Sequence, residues 1–158
     1  MTAVKKSKTS LVVSIVSMLL SVVTILALVF SLGSSQVTTT TANATMFKNG
    51  AINEDGKVIE SNLSAVLSEA KTVKDMNIEI DEESAVITYK VAFYDKDGNF
   101  ISMTDEQVAD FDVNEIPQDA DTFRVVVTPN EVDGEAVKIN SLNRVKYVKQ
   151  LKVSFARE

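Results

Sequence analysis

The chain has 158 residues and a formal net charge of −6, with no cysteine and no histidine. Those two absences exclude Cys/His zinc sites, thiol nucleophiles, disulfide stapling and an imidazole general base. The acidic balance argues against nucleic acid, whose binding rests on a basic surface.

In chain order, the first ten residues carry Lys5, Lys6 and Lys8 and no acid. Leu11 to Leu32, LVVSIVSMLLSVVTILALVFSL, follow as 22 residues without charge, proline or glycine. A helix of that length rises roughly 33 Å, against a hydrocarbon core of about 30 Å. The rival reading is a cleaved signal peptide, but its apolar region usually runs only about 7 to 15 residues before a small-residue site. The nearest Ala-x-Ala here, Ala42-Asn43-Ala44, lies well beyond the run, and no cysteine is present to take a lipid. Residues 11–32 are therefore read as an uncleaved transmembrane helix. The positive-inside rule leaves residues 1–10 in the cytoplasm and the C-terminal part outside. A prepilin layout is related, yet the Gly-Phe processing site and early-helix Glu of that layout are missing.

Within the span, Ser14, Ser17, Ser21, Thr24 and Ser31 recur at three-four spacing, interrupted only by Leu28. Small hydroxyl residues on one stripe let membrane helices approach and exchange hydrogen bonds, which predicts self-association or docking to another membrane helix. The alternative is that each hydroxyl bonds back to its own helix.

Residues 33–45, GSSQVTTTTANAT, have no periodicity and read as a flexible stalk. Asn43-Ala44-Thr45 and Asn62-Leu63-Ser64 match the glycosylation triplet, a pattern short enough to arise by chance. From Met46 to Glu158 the composition is that of a folded domain, and its length fits one β-sandwich. Alternation marks the strands: Ile87, Tyr89, Val91 and Phe93; Phe123, Val125 and Val127; Leu151, Val153 and Phe155. Shorter alternating pieces hold Ile78 with Ile80 and Phe111 with Val113. One helix is expected over about Asn62 to Lys74, with Leu63, Val66, Leu67, Ala70 and Val73 on one stripe. NSLNRVKY predicts a short helical turn before the last strand. The fold class is thus mainly β, a single sandwich of jelly-roll or immunoglobulin-like type with one short helix, preceded by the membrane helix.

YDKDGNF, residues 94–100, admits two readings. Calcium ligation would draw on Asp95, Asp97 and Glu106, with Asp105 and Asp110 nearby. An EF-hand loop, however, needs glycine at position 6, and counting from Asp95 it falls at 4. Asp97-Gly98 between two apolar strands instead predicts a β-hairpin, because glycine takes the positive φ of the turn.

The same region carries a resemblance. FYDKDGNFIS and IPQDADTFRVVVTP resemble jelly-roll, galactose-binding-like modules of bacterial surface and phage tail proteins. The matching residues are Tyr94, Asp95, Gly98, Phe100, Ile101, Ser102, Ile116, Pro117, Ala120, Phe123, Arg124 and Val125, within residues 86–128. The resemblance implies a strand–turn–strand framework and does not specify a ligand.

Charge is uneven: residues 75–135 hold 17 acidic and 3 basic side chains, whereas residues 141–158 hold 5 basic and 1 acidic. The plain reading is solvated loops and strand faces. The sharper reading turns Arg144, Lys146, Lys149 and Lys152 toward anionic headgroups or wall polymer, with the acidic loops facing away from the membrane. Arg124 is expected to pair with one of the loop acids.

Together these features predict a single-pass, non-catalytic binding or accessory module of a bacterial envelope, without cofactor. Its expected partners are the membrane, a membrane protein or second copy through the helix, and cell-wall polymer, with no nucleic acid. Two alternatives carry their own requirements. A carbohydrate- or wall-binding module needs a stacking face around Tyr89, Tyr94 or Tyr147. A glycosidase-like enzyme needs two adjacent carboxylates about 5 to 9.5 Å apart.

Overall fold

The computed structural model describes residues 39–42, 44–80 and 85–156. The expected membrane helix and its Ser14, Ser17, Ser21, Thr24 and Ser31 stripe lie outside those residues. Among the described residues, no helix is long and apolar enough to cross a membrane.

In chain order the described strands are β1 (Thr39–Thr41), β2 (Phe47–Asn49), β3 (Ala51–Ile52), β4 (Val58–Ile59), β5 (Val66–Ser68) and β6 (Lys71–Thr72). They continue with β7 (Asn77–Ile80), β8 (Ile87–Tyr94), β9 (Phe100–Met103), β10 (Thr122–Pro129) and β11 (Leu151–Ala156). One helix, α1 (Arg144–Val148), precedes the last strand, as NSLNRVKY predicts. The larger sheet has the order β2-β5-β10-β8-β9, with β6 also on β10; the smaller is β1-β11-β7. Every ladder in both is antiparallel.

Period-two alternation sets what lies between the sheets. Ile87, Tyr89, Val91 and Phe93 of β8 and Phe123, Val125 and Val127 of β10 point inward from the larger sheet. Ile78, Ile80, Leu151, Val153 and Phe155 meet them from the smaller one. Each fully buried side chain of this size contributes about 1.5–3 kcal/mol, so the sandwich is held by its apolar core without a disulfide.

The larger sheet is covered on its other face too. Hairpin β3–β4 folds across it, enclosing Ile52, Ala65, Leu67, Ala92, Tyr94 and Val126 in a second cluster. Two contacts fix the hairpin. The Tyr94 hydroxyl donates to the Gly56 carbonyl at 3.0 Å, and the Phe100 ring packs where a Gly56 side chain would stand. Gly56 has φ 77°, so glycine there answers both the turn and the close approach.

Three expectations are corrected. Residues 62–74 are not helical but contain β5 and β6. Val66 enters the inter-sheet core while its neighbour Leu67 enters the outer cluster. A short strand buried on both faces puts apolar residues side by side, which imitates a helical stripe; Leu63, on that supposed stripe, is 55% exposed. The Phe111–Val113 piece is not a strand: Phe111 is buried, but Val113–Glu115 form a 3-10 turn with Asp112 capping Asn114. Part of the expected stalk, Thr39–Thr41, pairs with β11, because β-branched threonines suit an extended edge.

Registers also fix which loops share an end. Thr39 lies opposite Ala156, and the Phe155 and Phe123 rings meet edge-on at 6.5 Å. Thr122, in turn, lies opposite Tyr94. The start of β1 is therefore at the end that carries the 95–99 and 117–121 loops. Helix α1 is at the opposite end, where Gln150 accepts from the Val86 amide and Pro129 lies opposite Ile87.

Candidate functional site

The YDKDGNF segment is a hairpin loop between β8 and β9. Gly98 takes φ 80°, and Asp95 organises the turn: one carboxylate oxygen accepts from the Asp97 and Asn99 amides, the other from Asn99 Nδ2. The Asn99 side chain first, then its backbone N–H, hold the Asp95 carboxyl below the usual carboxylate range. Asp97 pairs with Lys96 at 2.9 Å, and Glu106 stands 3.6 Å from Lys90 across the β8 edge. The loop thus spends its carboxylate oxygens on its own amides, on the Asn99 side chain and on Lys96. Among the described residues, no three acidic side chains are grouped to hold a metal.

The four cations of the C-terminal section are separated. Arg144 and Lys146 lie on α1 and Lys149 caps it, whereas Lys152 lies on β11 and bonds Glu79 at 2.8 Å. That bond, with the Lys152 charge, holds Glu79 below its usual range. Lys146 lies 5.4 Å from the Tyr147 ring. All three tyrosines are buried, so the stacking face around Tyr89, Tyr94 or Tyr147 that a sugar module would need is absent. No described acidic side chain is buried either. Arg124, expected to pair with a loop acid, makes no ion pair among the described residues; its Nη1 donates to the Ser68 carbonyl at 3.1 Å.

That bond opens onto a groove on the outer face of the larger sheet. Along β10, Leu67 pairs with Val126 but Lys71 pairs with Phe123, so the β5–β6 side holds one residue more than its partner. The result is a β-bulge, a device that re-aims side chains and is common beside functional sites. Ser68 repairs the interrupted ladder: its hydroxyl accepts from the buried Val125 amide at 2.8 Å and donates to the Glu69 carbonyl.

Over the bulge, between β2 and the β3–β4 hairpin, runs an open groove of about 560 Å3. Leu67 and Val58 give it apolar surface, and Asn49 and Ser68 line it as polar neighbours. Its charges are balanced, with Lys48 and Arg124 against Glu60 and Glu69. Glu69 reaches Lys71 at 3.3 Å, while Lys48 and Glu60 make no ion pair among the described residues. A smaller hollow of about 170 Å3, lined in part by Ile52, Lys90, Met103 and Glu106, lies elsewhere on the same outer face.

Of the groove's charged residues, only Arg124 stands out in the sequence. Lys48 lies in a strand, and Glu60 just after one, too short to show a period, and Glu69 sits in the segment that reads as a helix. Comparison with known proteins adds no assignment: no family model, curated protein or solved structure matches this chain, and nothing identifies a galactose-binding-like module.

Proposed function

We propose that the chain is a membrane-anchored, non-catalytic binding module of a cell envelope, displayed outside the membrane, that takes its ligand in the groove above the Ser68 bulge. The groove carries the binding half of this reading. It is preformed, since its hairpin wall is pinned through Gly56, and its volume falls within the range of about 300–1,000 Å3 usual for small-ligand sites. The uncharged run Leu11–Leu32 behind Lys5, Lys6 and Lys8 supports the anchor and its orientation. The cations around α1 support a second contact with anionic wall polymer, made at the end opposite Thr39.

The absence of cysteine permits a clean test of topology. Single-cysteine variants Ser7→Cys and Asp119→Cys are treated in intact cells with a membrane-impermeant maleimide. Asp119→Cys is expected to label at once and Ser7→Cys only after lysis. The opposite pattern, or a chain that leaves the membrane fraction in alkaline carbonate, overturns the reading.

A further inference from the structure

The groove's mixed charge restricts what it can hold. A polyanion would meet Glu60 and Glu69, and a simple cation would meet Lys48 and Arg124. Specificity by opposed charge works through such penalties as much as through attraction. With no exposed tyrosine, the groove also has no tyrosine platform for a sugar ring. With Glu69 already reached by Lys71, a ligand that satisfies Lys48, Arg124 and Glu60 carries a carboxylate and an ammonium group on one short frame, with enough apolar surface to cover Leu67 and Val58.

We propose that the groove binds the carboxy-terminal end of a short peptide, its carboxylate on Arg124 and Lys48 and an ammonium group facing Glu60. Arg124 is suited to the first role. Its guanidinium is planar and presents five donors, one of which is committed to the Ser68 carbonyl, so the bulge itself aims the remainder. Lys48 adds a point charge from β2, across the ladder from Leu67. On the opposite wall Glu60 follows β4 directly, so the hairpin sets its distance from Arg124. The bond through Gly56 that holds the hairpin thereby becomes part of the recognition geometry. This assignment rests on the groove reading above and adds the ligand's class to it.

The test uses the full chain in nanodiscs and three probes: the tripeptide Lys-Ala-Ala, its C-terminal amide, and the same tripeptide with both amino groups acetylated. Binding is followed by amide chemical shifts of Leu67 and Ser68. The free tripeptide is expected to bind saturably, with the amide and the acetylated form each about tenfold weaker, the scale of one lost charge-assisted bond. Arg124→Gln should weaken the free acid about tenfold and narrow the difference between acid and amide to what Lys48 alone supplies. Because Arg124 also touches Ser68, Lys48→Gln serves as a second variant on an exposed side chain and should narrow the same difference. Glu60→Gln should narrow the difference between free and acetylated peptide. Equal binding of acid and amide overturns the proposal, as does the lack of saturable binding by any probe. Neither result alters the cysteine-labelling pattern, so failure of the ligand assignment is distinguishable from failure of the anchored-module reading.

Discussion

Replacing Ser68 with alanine removes a hydroxyl that makes two hydrogen bonds in the larger sheet, one to the buried Val125 amide and one to the carbonyl of exposed Glu69. The Val125 amide at the bulge has the Ser68 hydroxyl as acceptor, at 2.8 Å, and both residues are buried. Alanine removes that acceptor while the Arg124 bond, which goes to the residue 68 carbonyl, stays available. A buried donor left without a partner costs about 1–3 kcal/mol. The compact unit runs from Thr38 to Glu158. At about 2.1 cal/mol/K per residue, a unit of that size has a melting entropy of roughly 0.25 kcal/mol/K, so Tm should fall by about 4–12 °C. Thermal melting by circular dichroism measures the loss, and amide exchange at Val125 locates it. A Tm within about 1 °C of the parent, with Val125 still protected, refutes the role given to the bulge serine.

Three further outcomes follow from other contacts. Gly56→Ala must accommodate a side chain at φ 77° against the Phe100 ring; the left-handed conformation alone costs about 1–2 kcal/mol. Its signature is lost amide protection at Asn53 and Lys57 with β8 and β10 still protected, and unchanged exchange at those two amides would sink the account of the hairpin. Burial first, then the charges of Asp110 and Glu115, push the Tyr89 phenol up, and burial pushes up that of Tyr94. Because the folded values lie above the unfolded one near pH 10, this stabilisation is present below about pH 10 and lost as pH rises further. In a Tyr147→Phe background, absorbance at 295 nm should therefore report phenolate only together with loss of the folded circular dichroism signal. Ionisation of both phenols near pH 10 in a folded chain contradicts this. Asp95 has the opposite sign: its lowered value gives stability above the unfolded carboxylate range that is lost as pH falls through the folded value. Asn99→Ala removes the largest cause and should move the Asp95 carboxyl upward in a carbon-13 titration, whereas an unmoved midpoint shows that the loop amides suffice.

The long strands were legible because each buries one clean face between the sheets. Every second residue from Ile87 to Phe93, Phe123 to Val127 and Leu151 to Phe155 is core, and period two follows directly. Asp97-Gly98 was legible because turn chemistry is local. The outer cluster was not, since it buries residues from the faces that alternation assigns to solvent: Ala92, Tyr94 and Val126. Only a nonlocal element, the β3–β4 hairpin, covers them. The groove inherits the same difficulty. Its four charges come from Lys48, Glu60, Glu69 and Arg124, which the bulge and the hairpin assemble across 76 positions of sequence. No spacing rule connects them.

The pairing of β1 with β11 has a mechanical consequence. Thr39 lies opposite Ala156 and Thr41 opposite Ser154, and the Ala42 amide continues the ladder to the Val153 carbonyl. A pull applied at Thr39 away from that end of the sandwich runs parallel to the strands, against resistance from any attachment at the α1 end. The ladder bonds then lie across the load and must yield together in shear, instead of opening one after another as in a zipper. The same three threonines pulled against the C-terminus would part sequentially at much lower force. Loading direction, set by which strand the chain enters on, therefore governs how firmly this body stays folded under tension.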